Sequence, residues 1–552
     1  VARNFQNTAL SFRKRQQILP PFMKQLISRL LLCTACFLVQ RTVGLAAEPR
    51  KPNVVFVLVD DLGWGDLGCY GNLDIATPHL NRMAADGVLF EQFYVNASVC
   101  SPSRAAMLTG RFPGAIGIHY WMAKPHNRRM GMPEALDPEL ETLPRTLRGV
   151  GYRTAHFGKW HLGEEKALPV AAYGYDETDL IWQGVGPAHR VAMNAPDGTQ
   201  KLVDRSIEFA AKCEKEGRPF FISLWSRDVH ADLNPAESAL ARYNDYQSRP
   251  GIATAMQIYY AAVTELDSQM GRLLDWIDAD PARSGNTLVL FTSDNGPEDA
   301  GISHAGHHAA GSAGPFRGRK RSLYEGGIRV PFIARWKGRI PAGGVDSGSV
   351  VSGVDLLPTL AAIAGAPLEP KVPLDGEDFS TSLLSGSGHV RKKPLLWEWR
   401  FEGVGSLLNR SPMLAIRDGD WKLLFNPDGS REELYDIPRQ PMELHSQAGT
   451  QREMVERMAR RALEWQKTLP DGPHTEHPGS LEYPGYHEGP GRKALKDPAK
   501  YRNLLEPVRV RLMRQSPSNE SGAVQHPERS AGQAEAIKAA PTAAPNRAAG
   551  AP

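Results

Sequence analysis

This chain has little cysteine, five residues in 552, and no apolar run of the roughly 20 residues that a membrane-spanning helix needs. Neither sign of charge dominates: 65 Lys and Arg stand against 61 Asp and Glu, a formal net charge of +4. So mild a balance gives no case for nucleic acid as a partner and is compatible with an anionic substrate. There is no internal repeat at solenoid periods, and the glycine-rich stretch GWGDLGCYG, residues 63–71, lacks the GK[ST] ending of a phosphate loop. What is present is ordinary for a soluble globular protein, 41% hydrophobic and 23% charged residues, over a length that allows a large core and more than one domain.

Residues 1–47 read as an N-terminal extension and export signal. From Met23, MKQLISRLLLCTACFLVQRTVGLAAEP carries basic residues at Lys24 and Arg29, an apolar stretch from Leu30 to Val39, and small residues ending at Ala46 and Ala47. The protein is therefore expected to be exported, periplasmic or extracellular, with no stable membrane span. Cys33 and Cys36 are possible lipid attachment points, but neither has a leucine and small-residue lead-in. Removing the signal leaves Cys69, Cys100 and Cys213, an odd number, so at least one thiol is unpaired.

Residues 48–390 alternate strand and helix. KPNVVFVLVDD is apolar without a break from Val54 to Val59, the pattern of a strand buried on both faces of a parallel sheet. TPHLNRMAADG reads as a helix with Thr77 as N-cap, Pro78 in the first turn and Gly87 as terminator. VLFEQFYV, ETLPRTLRGVG, YRTAHFG, VDRSIEFAAKCEKEG, PFFISLWS, YYAAVTELDSQMGRLLDWI and TLVLFTSDNG continue the alternation. This predicts an α/β fold with a large, mainly parallel sheet sandwiched by helices. Over residues 391–470 the texture changes to short strands separated by turns, PLLWEWR, MLAIRDG, WKLLFN and EELYDI, then the helix QREMVERMARRALEWQ. A smaller C-terminal antiparallel sheet plus helix is expected there. Residues 471–552, rich in Pro, Gly, Ala and charge, read as a disordered tail.

In an open α/β sheet, ligands bind beyond the carboxyl ends of the strands. Asp60 and Asp61 follow Val59; Asp294 and Asn295 follow TLVLFTS; Lys159 and His161 follow YRTAHFG; Arg227, Asp228 and His230 follow PFFISLWS. One polar strand end marks only where a chain surfaces, but four on one edge favour a site. Asp60, Asp61, Asp294 and Asn295 are hard oxygen donors suited to Ca²⁺ or Mg²⁺ rather than zinc. Lys159, His161 and His230 suit an anionic substrate and its leaving group. In NASVCSPSRAAMLTGR, residues 96–111, Ser101 and Pro102 are expected as N-cap and first residue of a helix, which puts Cys100 at an anion-favouring helix start. A thiolate would be stabilised there, so a catalytic thiol is one reading beside a buried hydrophobe or half of a disulfide.

SVCSPSRAAMLTG resembles the first signature of the sulfatase family, the CxPxR core with its LTGR extension, and GYRTAHFGKWHLG resembles the second. VLVDDLGWGDLGCYGN, SDNGP, RGRKRSLYEGGIRVPFIARW and SGVDLLPTLAAIAG resemble further blocks of that family in its order, over roughly residues 51–465. The resemblance implies an alkaline phosphatase-like fold, an arylsulfatase-type activity, and a Cys100 oxidised after translation to formylglycine by a formylglycine-generating or sulfatase-maturating enzyme. It implies one Ca²⁺, with Mg²⁺ the lesser alternative, held by Asp60, Asp61, Asp294, Asn295 and the modified Cys100. A hydroxyl of the hydrated aldehyde would attack sulfur, and the second would expel sulfate from the sulfated enzyme.

By the same resemblance Arg104 and Lys159 hold the diol and nearby carboxylates, His161 assists loss of its proton, and Asp294 helps activate the attacking hydroxyl. His230 and Lys320 bind the sulfate, with His230 as donor to the leaving oxygen. The expected substrate is a small-molecule or saccharide sulfate ester; a phosphonate or phosphate monoester hydrolase of the same superfamily, and an inactive sulfated-glycan-binding homologue, are the alternatives. Arg317, Arg319 and Arg321 read equally as solvated charge or as part of the site. His304, His307 and His308 read as a mobile, glycine-rich loop near the entrance. Cys69 and Cys213 are expected to be non-catalytic, and Trp160, Trp182 and Trp225 to fill the core.

Overall fold

The computed structural model describes residues 50–481 apart from 123–130, 164–167, 181–196, 301–305, 402–404 and 475–477. All of these belong to one compact unit, Val1–Tyr486. The export signal, most of the expected tail, Trp182 and His304 lie outside the described residues.

Nine strands form the large sheet: β1 (Asn53–Val59), β2 (Val88–Tyr94), β3 (Arg153–Gly158), β4 (Glu177–Leu180), β5 (Phe220–Ser226), β6 (Thr287–Ser293), β7 (Arg329–Arg335), β8 (Gly344–Asp346) and β9 (Val351–Ser352). Their order is β4-β3-β5-β1-β6-β7-β2-β8, with β9 also on β2. Every pairing is parallel except those of β7, which runs against both β6 and β2. Four short strands, β10 (Leu395–Glu398), β11 (Leu414–Asp418), β12 (Trp421–Phe425) and β13 (Glu433–Asp436), form the separate antiparallel sheet expected near the C-terminus.

The unbroken apolar run of β1 is explained by what covers it. Val55, Val57 and Val59 point into a core built with helices α1 (Pro78–Ala85), α4 (Gly198–Lys215) and α5 (Ala255–Asp278). Val54, Phe56 and Leu58 point to the opposite face, into a core with α2 (Cys100–Thr109), α3 (Leu143–Gly149) and α6 (Leu356–Ala364). Successive strand side chains alternate faces, so a two-faced burial removes the polar half of the pattern. Each such side chain contributes on the order of 1.5–3 kcal/mol relative to exposure.

The second core continues into the small sheet and into α7 (Arg452–Gln466), taking in Trp397, Ile416, Leu424, Val455 and Met458. A buried ionic group reinforces that junction. Lys422 Nζ on β12 lies 2.9 Å from both Glu325 Oε1 and Glu443 Oε1, and all three side chains are fully buried. Glu443 also accepts the backbone N–H of Glu325 at 2.6 Å, and Tyr324 donates to Glu433 at 2.8 Å. The segment between residues 320 and 328 is thus tied to the C-terminal sheet by side chains.

Candidate active site

Register brings the four polar strand ends together. Val59 pairs with Ser226 on one side and Ser293 on the other, and Gly158 pairs with Trp225. Asp60, Asp294 and Lys159 therefore leave the sheet side by side, their N–H groups donating to Ser226, Val59 and Trp225 carbonyls at 3.2, 3.1 and 2.9 Å. Glycine is required at two of these exits. Gly158 has φ +118°, and a Cβ there would lie 2.0 Å from the Trp225 carbonyl oxygen; a Cβ on Gly296, next to Asn295, would lie 1.9 Å from that of Gly326.

Helix α2 begins at Cys100 itself, capped by extended Val99, two residues earlier than the expected start and with Ser101 and Pro102 inside the first turn. Ser101 instead accepts the backbone N–H of Met122 at 2.9 Å. Proline is tolerated in a first turn because no intrahelical N–H bond is lost there. Arg104, one turn on, shares the face of Cys100. Its Nε and Nη2 donate to Asp294 Oδ2 at 2.9 and 2.7 Å, its Nη1 donates to the Lys159 carbonyl at 2.9 Å, and it lies over Trp225 at 5.1 Å.

All ten residues read from the sequence as site residues converge. Ligating atoms of Asp60, Asp61, Cys100 and His230 lie within 4.8 Å of one another. Lys159 Nζ donates to Asp60 Oδ2 at 2.5 Å, Lys320 Nζ to Asp61 Oδ2 at 2.7 Å, and Asn295 Nδ2 to Asp61 Oδ1 at 2.6 Å. Asp61 and His161 hold φ of 63° and 60°, and Arg321 holds 69°, left-handed conformations that cost on the order of 1–3 kcal/mol each outside glycine.

The electrostatics fit a cation. Burial opposes ionisation of Asp60, but Lys159, His230, Arg104 and Lys320 overcome it and hold the carboxyl well below its usual range. Burial and the Asp60 charge push Asp294 up to about 7, against Arg104. Adjacent buried acids of this kind ionise fully only with added positive charge. Asp60 Oδ1 and Asn295 Oδ1 are buried and without a hydrogen-bond partner among the described residues. An all-oxygen donor set with two such atoms suits a hard divalent ion.

Burial pushes the Cys100 thiol up to about 12 despite Lys159 and Lys320, so the unmodified residue is not the stabilised thiolate that its helix position suggested. Burial, with Lys159 and Arg104, holds His161 well below 6.5. His230 is also held well below that value, by burial and by Lys320 and Lys159 against Asp60. Both imidazoles are neutral in the free site.

Three readings change. His308 is not on an open entrance loop: it is buried, with Nδ1 3.8 Å from Asp61 Oδ2 and Nε2 3.9 Å from Glu298 Oε2. The arginines after Phe316 are not a solvated run. Arg321 pairs with both oxygens of Glu298, Arg319 donates to backbone carbonyls of Glu298 and Ala309, and Arg317 stacks on Tyr324 at 3.7 Å. Glu298, which the sequence reading passed over, is buried and held low, to about 2, because Lys320 and Arg321 outweigh its burial. Its only signal was its place in SDNGPED, three residues after Asn295. Cys69, Cys100 and Cys213 are all free, and Trp160 and Trp225 pack in the core as expected.

A mostly parallel sheet carrying buried carboxylates, lysines and a helix start beyond its carboxyl edge is an α/β architecture with a site suited to an anionic substrate. The chain belongs to the sulfatase family, whose members hydrolyse sulfate esters: the Sulfatase profile matches residues 52–366, and the profile described as N-sulphoglucosamine sulphohydrolase, C-terminal, matches residues 314–468. It is 34% identical to the N-acetylgalactosamine-6-sulfatase of Sus scrofa over 388 residues, 64% of this chain and 70% of that protein. It is 35% identical to arylsulfatase A of Homo sapiens over 424 residues, 70% of this chain and 77% of that protein. Its fold is similar to the crystal structure of a sulfatase from Pseudoalteromonas sp., with a TM-score of 0.62 at 24% identity, covering 77% of this chain and 92% of the other. Among the described residues no helix is long and apolar enough to cross a membrane.

Proposed function

We propose that this protein is exported and hydrolyses sulfate esters of a carbohydrate or aryl alcohol, with Cys100 oxidised to formylglycine by a maturating enzyme and one Ca²⁺ held by Asp60, Asp61, Asp294 and Asn295. The observation that carries this reading is the pair of buried oxygens without a hydrogen-bond partner among the described residues, Asp60 Oδ1, which has only Arg104 Nη2 at 3.5 Å, and Asn295 Oδ1, in a cluster that also holds Cys100 and is ringed by Lys159, Lys320 and His230. When bound, the ion and the hydrated aldehyde would supply an activated hydroxyl to attack sulfur and a second hydroxyl whose loss of a proton releases sulfate.

The chain's own residues do the rest. Arg104 fixes Asp294 and the Lys159 backbone, so the carboxylate that takes the attacking hydroxyl's proton cannot swing away. Lys159 and Lys320, now paired with Asp60 and Asp61, are placed to hold sulfate oxygens once cation binding loosens those pairs. His161, kept neutral, can accept the second hydroxyl's proton. His230, whose side chain is 23% exposed, faces the entrance, where an arriving anion raises its proton affinity and suits it to donate to the leaving oxygen. Export rests on the N-terminal signal pattern.

Intact-peptide mass spectrometry of residues 96–111 from the native host tests the maturation: aldehyde at position 100 is expected, and unconverted cysteine would overturn the catalytic reading. Rates on 4-nitrophenyl sulfate and 4-nitrophenyl phosphate, with and without chelator, test the chemistry. Sulfate is expected to be the faster substrate, and a preference for phosphate would favour a phosphomonoesterase instead.

A further inference from the structure

His308 is buried beside the site and takes no part in the chemistry above. It lies in the short turn Gly306–Ala310, and its ring stands nearly perpendicular to that of His230, with centroids 5.3 Å apart. Its Nδ1 accepts the backbone N–H of Ala231, the residue after His230, at 2.8 Å. That bond sets the tautomer: a neutral imidazole whose Nδ1 lone pair is occupied carries its proton on Nε2. An Nδ1 that accepts a hydrogen bond carries no proton, so the bond to Ala231 itself fixes the ring as the neutral form.

Among the described residues the Nε2–H then finds no acceptor. Nε2 is buried and has no hydrogen-bond partner among the described residues. The Glu298 Oε2 atom, at 3.9 Å, is out of hydrogen-bond range and already accepts from Arg321. Asp61 Oδ2 lies 3.8 Å from Nδ1, the nitrogen with no proton to give. Lys320 Nζ approaches the same Glu298 oxygen at 3.6 Å, which puts the unused N–H beside the lysine expected to hold sulfate.

We propose that His308 is a substrate-binding residue, its Nε2–H donating to a sulfuryl oxygen beside Lys320 and His230. This rests on the reading of the site as a sulfate-ester site. It makes the oxygen cradle three-sided, with one neutral donor among the charged ones, and so favours the tetrahedral sulfuryl group over a flat carboxylate. Burying donors are matched only when the substrate arrives.

Two substitutions separate the ring's two nitrogens. His308→Asn keeps an acceptor for the Ala231 N–H and loses the Nε2 donor; His308→Gln keeps a donor near Nε2 and loses that acceptor. With the matured protein, affinity for inorganic sulfate by calorimetry and kcat/KM for 4-nitrophenyl sulfate should fall about tenfold or more in the Asn variant and less in the Gln variant. An Asn variant like wild type, with Gln impaired, would overturn the proposal and leave His308 a structural anchor for Ala231. The unaltered protein gives a second measurement: long-range ¹⁵N–¹H spectra should show His308 protonated at Nε2 and shifting on sulfate titration, and a His308 signal unmoved at saturation would overturn the proposal even if the variants misfold. Wild-type protein that binds no sulfate and turns over no sulfate ester would instead defeat the reading of the site itself.

Discussion

Arg104 sets two of its nitrogens on a single oxygen of Asp294, Oδ2, at 2.9 and 2.7 Å, while the other oxygen accepts the Asp61 N–H at 3.1 Å. Both side chains are fully buried. Removing the guanidinium strands a carboxylate in the core, so Arg104→Ala is expected to lower unfolding free energy by about 3–5 kcal/mol and abolish turnover. Arg104→Lys keeps the charge but not the fork, and should recover stability in part without recovering activity. Urea midpoints and rates on 4-nitrophenyl sulfate check both; an active Arg104→Ala protein would refute the assignment.

Metal removal should act on stability as well as rate. Chelation with EGTA is expected to lower the thermal midpoint, and added Ca²⁺ to restore it, by about 2.7 kcal/mol at a free concentration one hundred times the dissociation constant. Asn295→Ala deletes a buried oxygen that has no hydrogen-bond partner among the described residues, and with it the amide that donates to Asp61 at 2.6 Å, so it should weaken Ca²⁺ binding and also lower the chelated protein's stability by about 1.5–3 kcal/mol. Equal thermal midpoints with and without Ca²⁺ would count against a resident cation.

His156 offers a pH test away from the substrate. It is enclosed by Trp160, Tyr175 and Trp225, and burial with Arg104 lowers it from 6.5 to about 3, against the Lys159 backbone. Between those values the unfolded chain binds a proton that the folded chain does not, so stability is lost as pH falls below 6.5. His156→Phe removes that proton uptake. The stability difference between variant and wild type should therefore widen in the variant's favour by about 1.4 kcal/mol per pH unit below 6.5, measured by urea unfolding at pH 7.5 and 5.0. Parallel curves would contradict it.

Much of this was legible because burial writes itself into pattern. The run from Val54 to Val59 admits no half-exposed strand, and the four short C-terminal strands fell where turn residues bracketed them. Asp60, Asp61, Asp294, Asn295, Lys159, His161 and His230 were picked out by reading past each strand's end, a rule that needs only sheet direction, whereas Arg104 and Lys320 were reached only through the family resemblance. Direction itself was not legible for β7: IRVPFIARW is as apolar as a parallel strand, and nothing local says that it runs against β6. The start of α2 was misplaced because Pro102 is common at the first helical position, whereas here Val99 turns the chain into the helix two residues sooner. His308 was misjudged, and the arginines were left undecided, for one reason. Glycine-rich or charged surroundings look solvated until distant partners such as Asp61, Glu298 and Tyr324 are folded over them.

Lys422→Met should be costly although Lys422 is remote from substrate. It strands Glu325 and Glu443 without their shared cation, an expected loss of about 3–5 kcal/mol. Because Glu325 lies five residues after Lys320, sulfate affinity should fall as well in whatever fraction remains folded. A stable variant with wild-type sulfate affinity would show that the Lys422 ion group does not brace the segment carrying Lys320.

That buried bridge also sets an order of completion. Every signature block lies ahead of β10, yet the segment carrying Lys320 is secured by Lys422, Glu433 and Glu443, which leave the ribosome only after all of those blocks. A chain cut at residue 390 would still be recognised by its sequence and would still contain the cysteine, the acids and the lysine. It would be legible but unfinished, with the segment that carries Lys320 unbraced.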